Sequence, residues 1–102
     1  EVNQCQSENL KIIEVHPEFC FMQMNDGMPQ PCSKKTWNGM QQRLFLLKTK
    51  GIYLPSDLGS NTGNISPDDI IDAAAGAWTA KRFSEGLAVP HPEDPNAPQI
   101  WV

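Results

Sequence analysis

The sequence has few cysteines, no long apolar run and no excess of basic residues. Its 3 cysteines are odd in number and form no C-x-x-C pair, which argues against a zinc site and against a disulfide framework. No apolar run approaches the roughly 18 residues that a membrane span requires. The first residues resemble neither a signal peptide nor a transit peptide. We therefore expect a cytoplasmic protein with reduced cysteines and no membrane partner.

The charge composition excludes one general mode of binding to nucleic acid or membrane. Lys plus Arg number 8 and Asp plus Glu number 12, so the net charge is -4, and a chain of this charge cannot bind polyanions through bulk positive charge. The charges are unevenly distributed, because five of the 8 basic residues lie between Lys34 and Lys50 and seven of the 12 acids lie from Asp57 onward. This distribution predicts two opposite surfaces of different sign.

What the sequence does contain is typical of one small folded unit. With 102 residues, 39% of them hydrophobic, the chain can bury one modest core. No internal repeat is present. The pattern predicts an α/β arrangement with the following elements: a strand over Leu10–Val15, a short helix over Phe19–Met24, a helix from Ser33 or Thr36 to Gly51, a helix over Pro67–Glu85, an extended tail over Pro90–Pro98 and a terminal strand over Gln99–Val102.

The two longer helices carry recognisable local signals. In the first, Trp37, Met40, Leu44 and Leu47 recur at helical spacing and predict the buried face. In the second, Ser66 is expected to cap the helix, with Pro67 as the first helical residue. The small residues that follow Asp72 would let this helix approach a sheet closely and bring that carboxylate towards the strand edges.

Three carboxylates lie on the first two turns of the last helix. Asp68, Asp69 and Asp72 repel one another at this spacing, and a divalent cation with oxygen ligands, Mg²⁺ or Mn²⁺, is one way to balance their charge. The simpler interpretation is that Asp68 and Asp69 only stabilise the helix N-terminus. That interpretation leaves Asp72 unexplained, so both readings stay open.

A carboxylate and a histidine lie in and just after the first predicted strand. Glu14 lies between Ile13 and Val15, and alternation along a strand places it on the same face as His16. Glu14 is therefore a candidate ligand, while His16 fits a structural role better than a ligand or a proton carrier. Thiol chemistry at Cys20 or Cys32 with His16 has little support, because no third orienting residue is identifiable.

The basic segment is the third candidate feature. Lys34, Lys35 and Arg43 are typical of a phosphate-binding patch near a helix N-terminus, where backbone N–H groups also favour anions. The alternative is a solvated helix face without a ligand.

Together these features resemble an uncharacterised family described as predicted nucleases with a ribonuclease-H-like fold. The resemblance rests on three motifs in order: Glu14-Val15-His16-Pro17-Glu18, then Ser33-Lys34-Lys35-Thr36 with Gly39 and Arg43, then Asp68-Asp69-x-x-Asp72-Ala73. It covers roughly residues 12–82 and implies that Glu14, Asp69 and Asp72 are catalytic ligands of Mg²⁺ or Mn²⁺. Hydrolysis of phosphodiesters in nucleic acid would be the reaction.

The resemblance covers only the C-terminal part of that fold, one or two strands packed with two to three helices. Family members normally begin with a glycine-aspartate strand, which is absent from this sequence. We therefore expect residues 1–102 to be a single unit that forms the C-terminal half of a larger domain. Such a unit would hold an incomplete site and would associate with a missing N-terminal half or with another copy. The alternative is a non-catalytic binding or assembly module in which the acidic helix start is only a capping motif.

Overall fold

The computed structural model describes residues 13–61, 64–91 and 99–102, and these form three helices and three two-residue strands. The elements in chain order are β1 (Glu14–Val15), α1 (Pro17–Met24), α2 (Trp37–Thr49), α3 (Pro67–Ser84), β2 (Pro90–His91) and β3 (Ile100–Trp101). The expected α/β class is confirmed. Cys5, residues 10–12 of the predicted first strand and residues 92–98 of the predicted tail lie outside the described residues.

The strands form one small sheet in the order β1-β3-β2. β1 pairs in parallel with β3, with Glu14 opposite Ile100, and β2 pairs antiparallel with β3. The predicted terminal strand is confirmed in its central two residues. The sequence pattern did not predict β2, because Pro90 removes a backbone donor and marks the segment as an extended tail.

Proline and glycine set the ends of the helices as expected. Pro17 and Pro67 occupy the first turns of α1 and α3, where a missing N–H costs nothing. Gly51, just past α2, has a φ of 84°, which is the left-handed geometry that glycine adopts without strain.

The start of α3 has the predicted cap residue but not the side-chain hydrogen bond that a cap usually makes. The hydroxyl of Ser66 donates to a carboxylate oxygen of Asp68 and does not accept a backbone N–H of the helix. Ser66 is therefore the N-cap residue, as predicted, but its side chain makes no hydrogen bond to the helix backbone.

The predicted buried face of α2 is confirmed except at Trp37. Leu47 is completely buried, Met40 and Leu44 are partly buried against the core, and Trp37 is 70% exposed. The buried residues of this helix are Gly39, Arg43, Leu46 and Leu47. Hydrophobic periodicity missed the burial of Arg43 because it counts this residue as polar, whereas in the fold the side chain is paired and enclosed.

The core lies where α1 packs against both α2 and α3. Phe21, Leu47 and Ala75 are completely buried in it, and Val102 closes it from the end of the chain. Within the described residues, none of the helices has the length and apolar character needed to cross a bilayer.

Candidate functional site: an ion-paired cluster between the helices

The three sequence motifs meet in space through three ion pairs. Glu18 pairs with Arg43, Lys34 with Asp72, and Lys35 with Asp68. The partners are 25 to 38 residues apart in the chain. The basic segment and the acidic start of α3 therefore face each other, so the prediction of two opposite charged surfaces is wrong at this point. We call Lys34, Lys35, Asp68 and Asp72 the ion-paired cluster.

Arg43 is the buried member of the third ion pair, which it forms with Glu18. Its side chain is 3% exposed, and its guanidinium donates to both carboxylate oxygens of Glu18, at 3.0 and 2.5 Å. It also donates to the carbonyls of Cys32 and Gly39 at 3.0 and 2.8 Å. A buried arginine needs such partners for its donors. The phosphate contact expected for Arg43 stays a prediction, and the geometry fits a structural role better.

Lys34 and Asp72 form the most enclosed part of the cluster. Lys34 Nζ donates to Asp72 Oδ2 at 2.9 Å, and the aspartate side chain is 20% exposed. The hydrogen bond to Asp72 is the main reason that the pKa of the Lys34 ammonium lies above its ordinary value. Asp72 Oδ1 is buried and has no hydrogen-bond partner in the described part of the chain, so one carboxylate oxygen remains free to accept a proton donor or to bind a cation.

Lys35 and Asp68 form the more open part of the cluster. Lys35 Nζ lies 2.5 Å from Asp68 Oδ2, and the lysine side chain is 71% exposed. Together with the Ser66 hydroxyl, this ammonium holds the pKa of Asp68 well below its ordinary value. Asp68 therefore pairs with Lys35 and also lies in the first turn of α3, where an acid stabilises the helix dipole.

A cleft opens beside these pairs, between the residues that precede α2 and the start of α3. It encloses about 350 Å³, which is within the lower range of small-molecule sites. Lys34, Lys35 and Asp68 provide its charge, and the exposed ring of Trp37 forms one apolar wall. The position of Trp37 in this wall was not foreseen, because the helical spacing placed it in the core.

Glu14 and Asp69 make none of the ion pairs of this cluster in the described part of the chain. Glu14 is exposed and accepts from His16 Nε2 at 2.9 Å, so the two side chains are in contact, although His16 lies just after β1. Asp69 is exposed on the first turn of α3. The described residues contain no group of three His, Cys, Asp or Glu that could hold a metal ion. By themselves, they do not fit a complete Mg²⁺ or Mn²⁺ site.

The surroundings of Cys20 do not favour a reactive thiolate. Cys20 is buried and accepts from the Thr79 hydroxyl at 2.9 Å, and burial is the main cause that raises the pKa of its thiol. A raised thiol pKa disfavours the reactive thiolate. His16, the partner considered for thiol chemistry, contacts Glu14.

Glu18 was named in the sequence motifs, but the sequence assigned no role to it. It belongs to the first motif, yet only the fold shows that it neutralises a buried cation. The signal that could have identified it is the placement of Arg43 one helical turn after Gly39, on the face of α2 that contacts α1.

Comparison with known proteins identifies a family of undetermined function. No curated protein and no solved structure matches the chain. A family description does match, over residues 1–97. Since this match spans nearly all of the 102 residues, the chain belongs to the family described as protein of unknown function DUF429.

Proposed function

We propose that this chain is part of a nuclease-like, metal-dependent phosphodiester hydrolase with a ribonuclease-H-like fold, and that it contributes the ion-paired cluster. The observation that carries the proposal is the pairing of Lys34 with Asp72 and of Lys35 with Asp68. Both lysines line one cleft, together with Asp68. Lysine ammonium groups are the point charges that phosphate oxygens bind. Carboxylates beside them supply oxygen ligands for a hard cation.

Each lysine has a defined part in this proposal. Lys34 is oriented by Asp72, and Lys35 is exposed at the mouth of the cleft. An ammonium group has three N–H donors, so each lysine can keep its carboxylate partner and still donate to a phosphate oxygen. Phosphate held in this way would lie next to Trp37, whose ring could contact the group that the phosphate carries.

The metal part of the proposal rests on Asp72. One of its oxygens is buried without a partner, whereas the described residues do not place two further ligands in a group with it. Glu14 and Asp69 remain proposed ligands, and Mg²⁺ or Mn²⁺ binding would need ligands in addition to Asp72. Nucleic acid is the proposed substrate partner.

The test is a calorimetric titration of the protein with Mn²⁺. We expect wild type to bind the ion and Asp72→Asn to bind it at least about tenfold more weakly, because the amide lacks the negative charge of the ligand. Asp57→Asn is the matched control, since this carboxylate is exposed, lies in the loop between α2 and α3 and accepts the backbone N–H of Gly59. Identical isotherms for wild type and Asp72→Asn would remove Asp72 from metal binding.

The alternative is a non-catalytic binding or assembly module, which would join a second copy or another part of a larger domain. The observation in its favour is that all three ion pairs join different elements of the same fold. In that case Asp72→Asn lowers the free energy of unfolding but changes neither Mn²⁺ binding nor any hydrolysis of a phosphodiester. Urea denaturation of the same variants therefore separates the two functions.

A further inference from the structure

A second cleft, separate from the ion-paired cluster, lies between the C-terminal ends of α2 and α3. It encloses about 490 Å³, which is within the range of small-molecule sites. We call it the basic cleft, because Lys50, Lys81 and Arg82 line it together with one acid, Glu85. Three cationic side chains and one carboxylate leave two net positive charges at this place in a chain whose net charge is -4.

The cations of the basic cleft differ from Lys34, Lys35 and Arg43 in having no carboxylate partner among the described residues. Lys34, Lys35 and Arg43 are each neutralised by a carboxylate. In the described ranges 13–61, 64–91 and 99–102, no ion pair involves the three cations of the basic cleft. Like charges around a shared cleft repel one another, and an anion bound between them would relieve this repulsion.

Arg82 is held in place before any ligand binds. Its guanidinium carbon lies 4.8 Å from the centre of the Trp78 ring, a cation–π arrangement. One terminal nitrogen donates to the carbonyl of Leu87 at 2.9 Å. A guanidinium fixed in this way loses little conformational freedom when it binds, and its fork of donors matches the oxygens of a phosphate group.

The remaining wall of the basic cleft is apolar. Ile52 and Leu87 line it with the Trp78 ring, and Leu87 is 56% exposed. An inorganic ion would use only the charged part of this cleft. A ligand with an apolar or aromatic body would also cover the exposed apolar side chains.

Cationic side chains near helix C-termini also have a simpler explanation than ligand binding, because they interact favourably with the helix dipole. That effect accounts for Lys81 and Arg82 on α3 and for Lys50 at the end of α2, each within its own helix. It does not account for the convergence of both helix ends on one cleft with an oriented arginine and an apolar wall. We infer that the basic cleft binds a phosphate monoester that carries an apolar or aromatic body.

The test is isothermal calorimetry with phenyl phosphate as the probe, and with inorganic phosphate and benzyl alcohol as partial probes. We expect phenyl phosphate to bind more tightly than either, because only this probe has both the dianion and the ring. Lys50→Gln and Lys81→Gln should each weaken phenyl phosphate binding about three- to tenfold, as expected for exposed charge contacts. Both lysines are exposed, so these variants are expected to fold, and their urea midpoints verify it.

Lys48→Gln is the matched control. This lysine is exposed in the last turn of α2 and lines a different cleft, with Phe45 and Tyr53. The substitution removes the same charge as Lys50→Gln but away from the basic cleft, so it should change phenyl phosphate affinity less than about twofold.

Three outcomes would overturn the inference. They are that phenyl phosphate fails to bind at about 10 mM, that Lys48→Gln weakens binding as much as Lys50→Gln, or that Lys34→Gln alone weakens it. The last outcome would place the anion in the ion-paired cluster. The Mn²⁺ titration of Asp72→Asn is independent of all these results.

Discussion

Arg43 illustrates how a charged residue becomes part of a core. An isolated guanidinium would be costly to bury, but here Glu18 and two backbone carbonyls accept its hydrogen bonds. Glu18 itself remains about half exposed, so the pair lies at the edge of the core with the carboxylate towards water. This arrangement joins α1 to α2 and explains why the face of α2 that carries Arg43 is buried.

Also at the level of single residues, the pair of Lys35 and Asp68 predicts how stability depends on pH. Lys35 is the main cause that lowers the pKa of Asp68 below its ordinary value of 3.8. A carboxylate with a lowered folded-state pKa stabilises the fold above the unfolded-state pKa, and this stability is lost as the pH falls below that value. Lys35→Met should therefore reduce the dependence of the free energy of unfolding on pH below about 4.

Urea denaturation between about pH 2 and pH 5 measures this dependence. Lys48→Met is the control, since Lys48 is an exposed lysine with no ion pair among the described residues. Because Lys35 is largely exposed, salt at about 1 M should also reduce the difference between wild type and Lys35→Met. A pH dependence that Lys35→Met leaves unchanged would contradict the role of this ion pair.

At the level of the helices, two glycines have opposite surroundings. A Cβ atom at Gly39 in α2 would lie 1.8 Å from the carbonyl oxygen of Ser33, so the segment that carries Lys34 and Lys35 passes directly against the backbone of α2. A Cβ atom at Gly76 in α3 would meet only the Val15 side chain, at 3.9 Å. The close approach of α3 to β1 that the small residues predicted is thus an ordinary contact.

The two glycines therefore predict opposite effects of alanine. Gly39→Ala should destabilise the protein by about 2–4 kcal/mol, because backbone must move to admit the Cβ atom. Gly76→Ala should stabilise it by about 0.5–1 kcal/mol, because alanine loses less conformational freedom in a helix. The measurement is the free energy of unfolding in urea for both variants. Equal effects of the same sign would show that the described contact between Ser33 and Gly39 is not maintained in solution.

At the level of the whole molecule, one small core is shared by all three helices. Leu47 is completely buried in it, whereas Trp37, ten residues earlier on the same helix, is 70% exposed. Leu47→Ala should cost about 2–5 kcal/mol, which is a large part of the roughly 5–15 kcal/mol that stabilises a typical domain. Trp37→Ala should change stability by less than about 1 kcal/mol.

Thermal unfolding followed by circular dichroism compares these two variants. We expect a strongly lowered midpoint for Leu47→Ala and a nearly unchanged one for Trp37→Ala. A larger loss for Trp37→Ala than for Leu47→Ala would contradict the burial of Leu47 and the exposure of Trp37. Similar losses for both would indicate that the exposed Trp37 ring is covered in solution, for instance by a second copy of the chain.

The comparison of prediction with structure separates local from distant determinants. The helix ends at Pro17, Gly51 and Pro67 were predictable, because proline and glycine act on the backbone within one turn. The cap position of Ser66 was predictable too, but the partner of its hydroxyl depends on where the Asp68 side chain lies. The resemblance to an uncharacterised family is confirmed, while its nuclease nature and its ribonuclease-H-like fold stay proposals.

The sequence by itself determined the α/β class, the approximate helices and the segments that carry charge, since these depend on neighbours a few residues apart. Only the tertiary structure decided which charges meet. Lys34 could pair with any of several distant carboxylates, and the packing of α3 beside the segment before α2 selects Asp72. The same packing exposes Trp37 and buries Arg43, because burial of a side chain depends on what it contacts across the chain and not on its type alone.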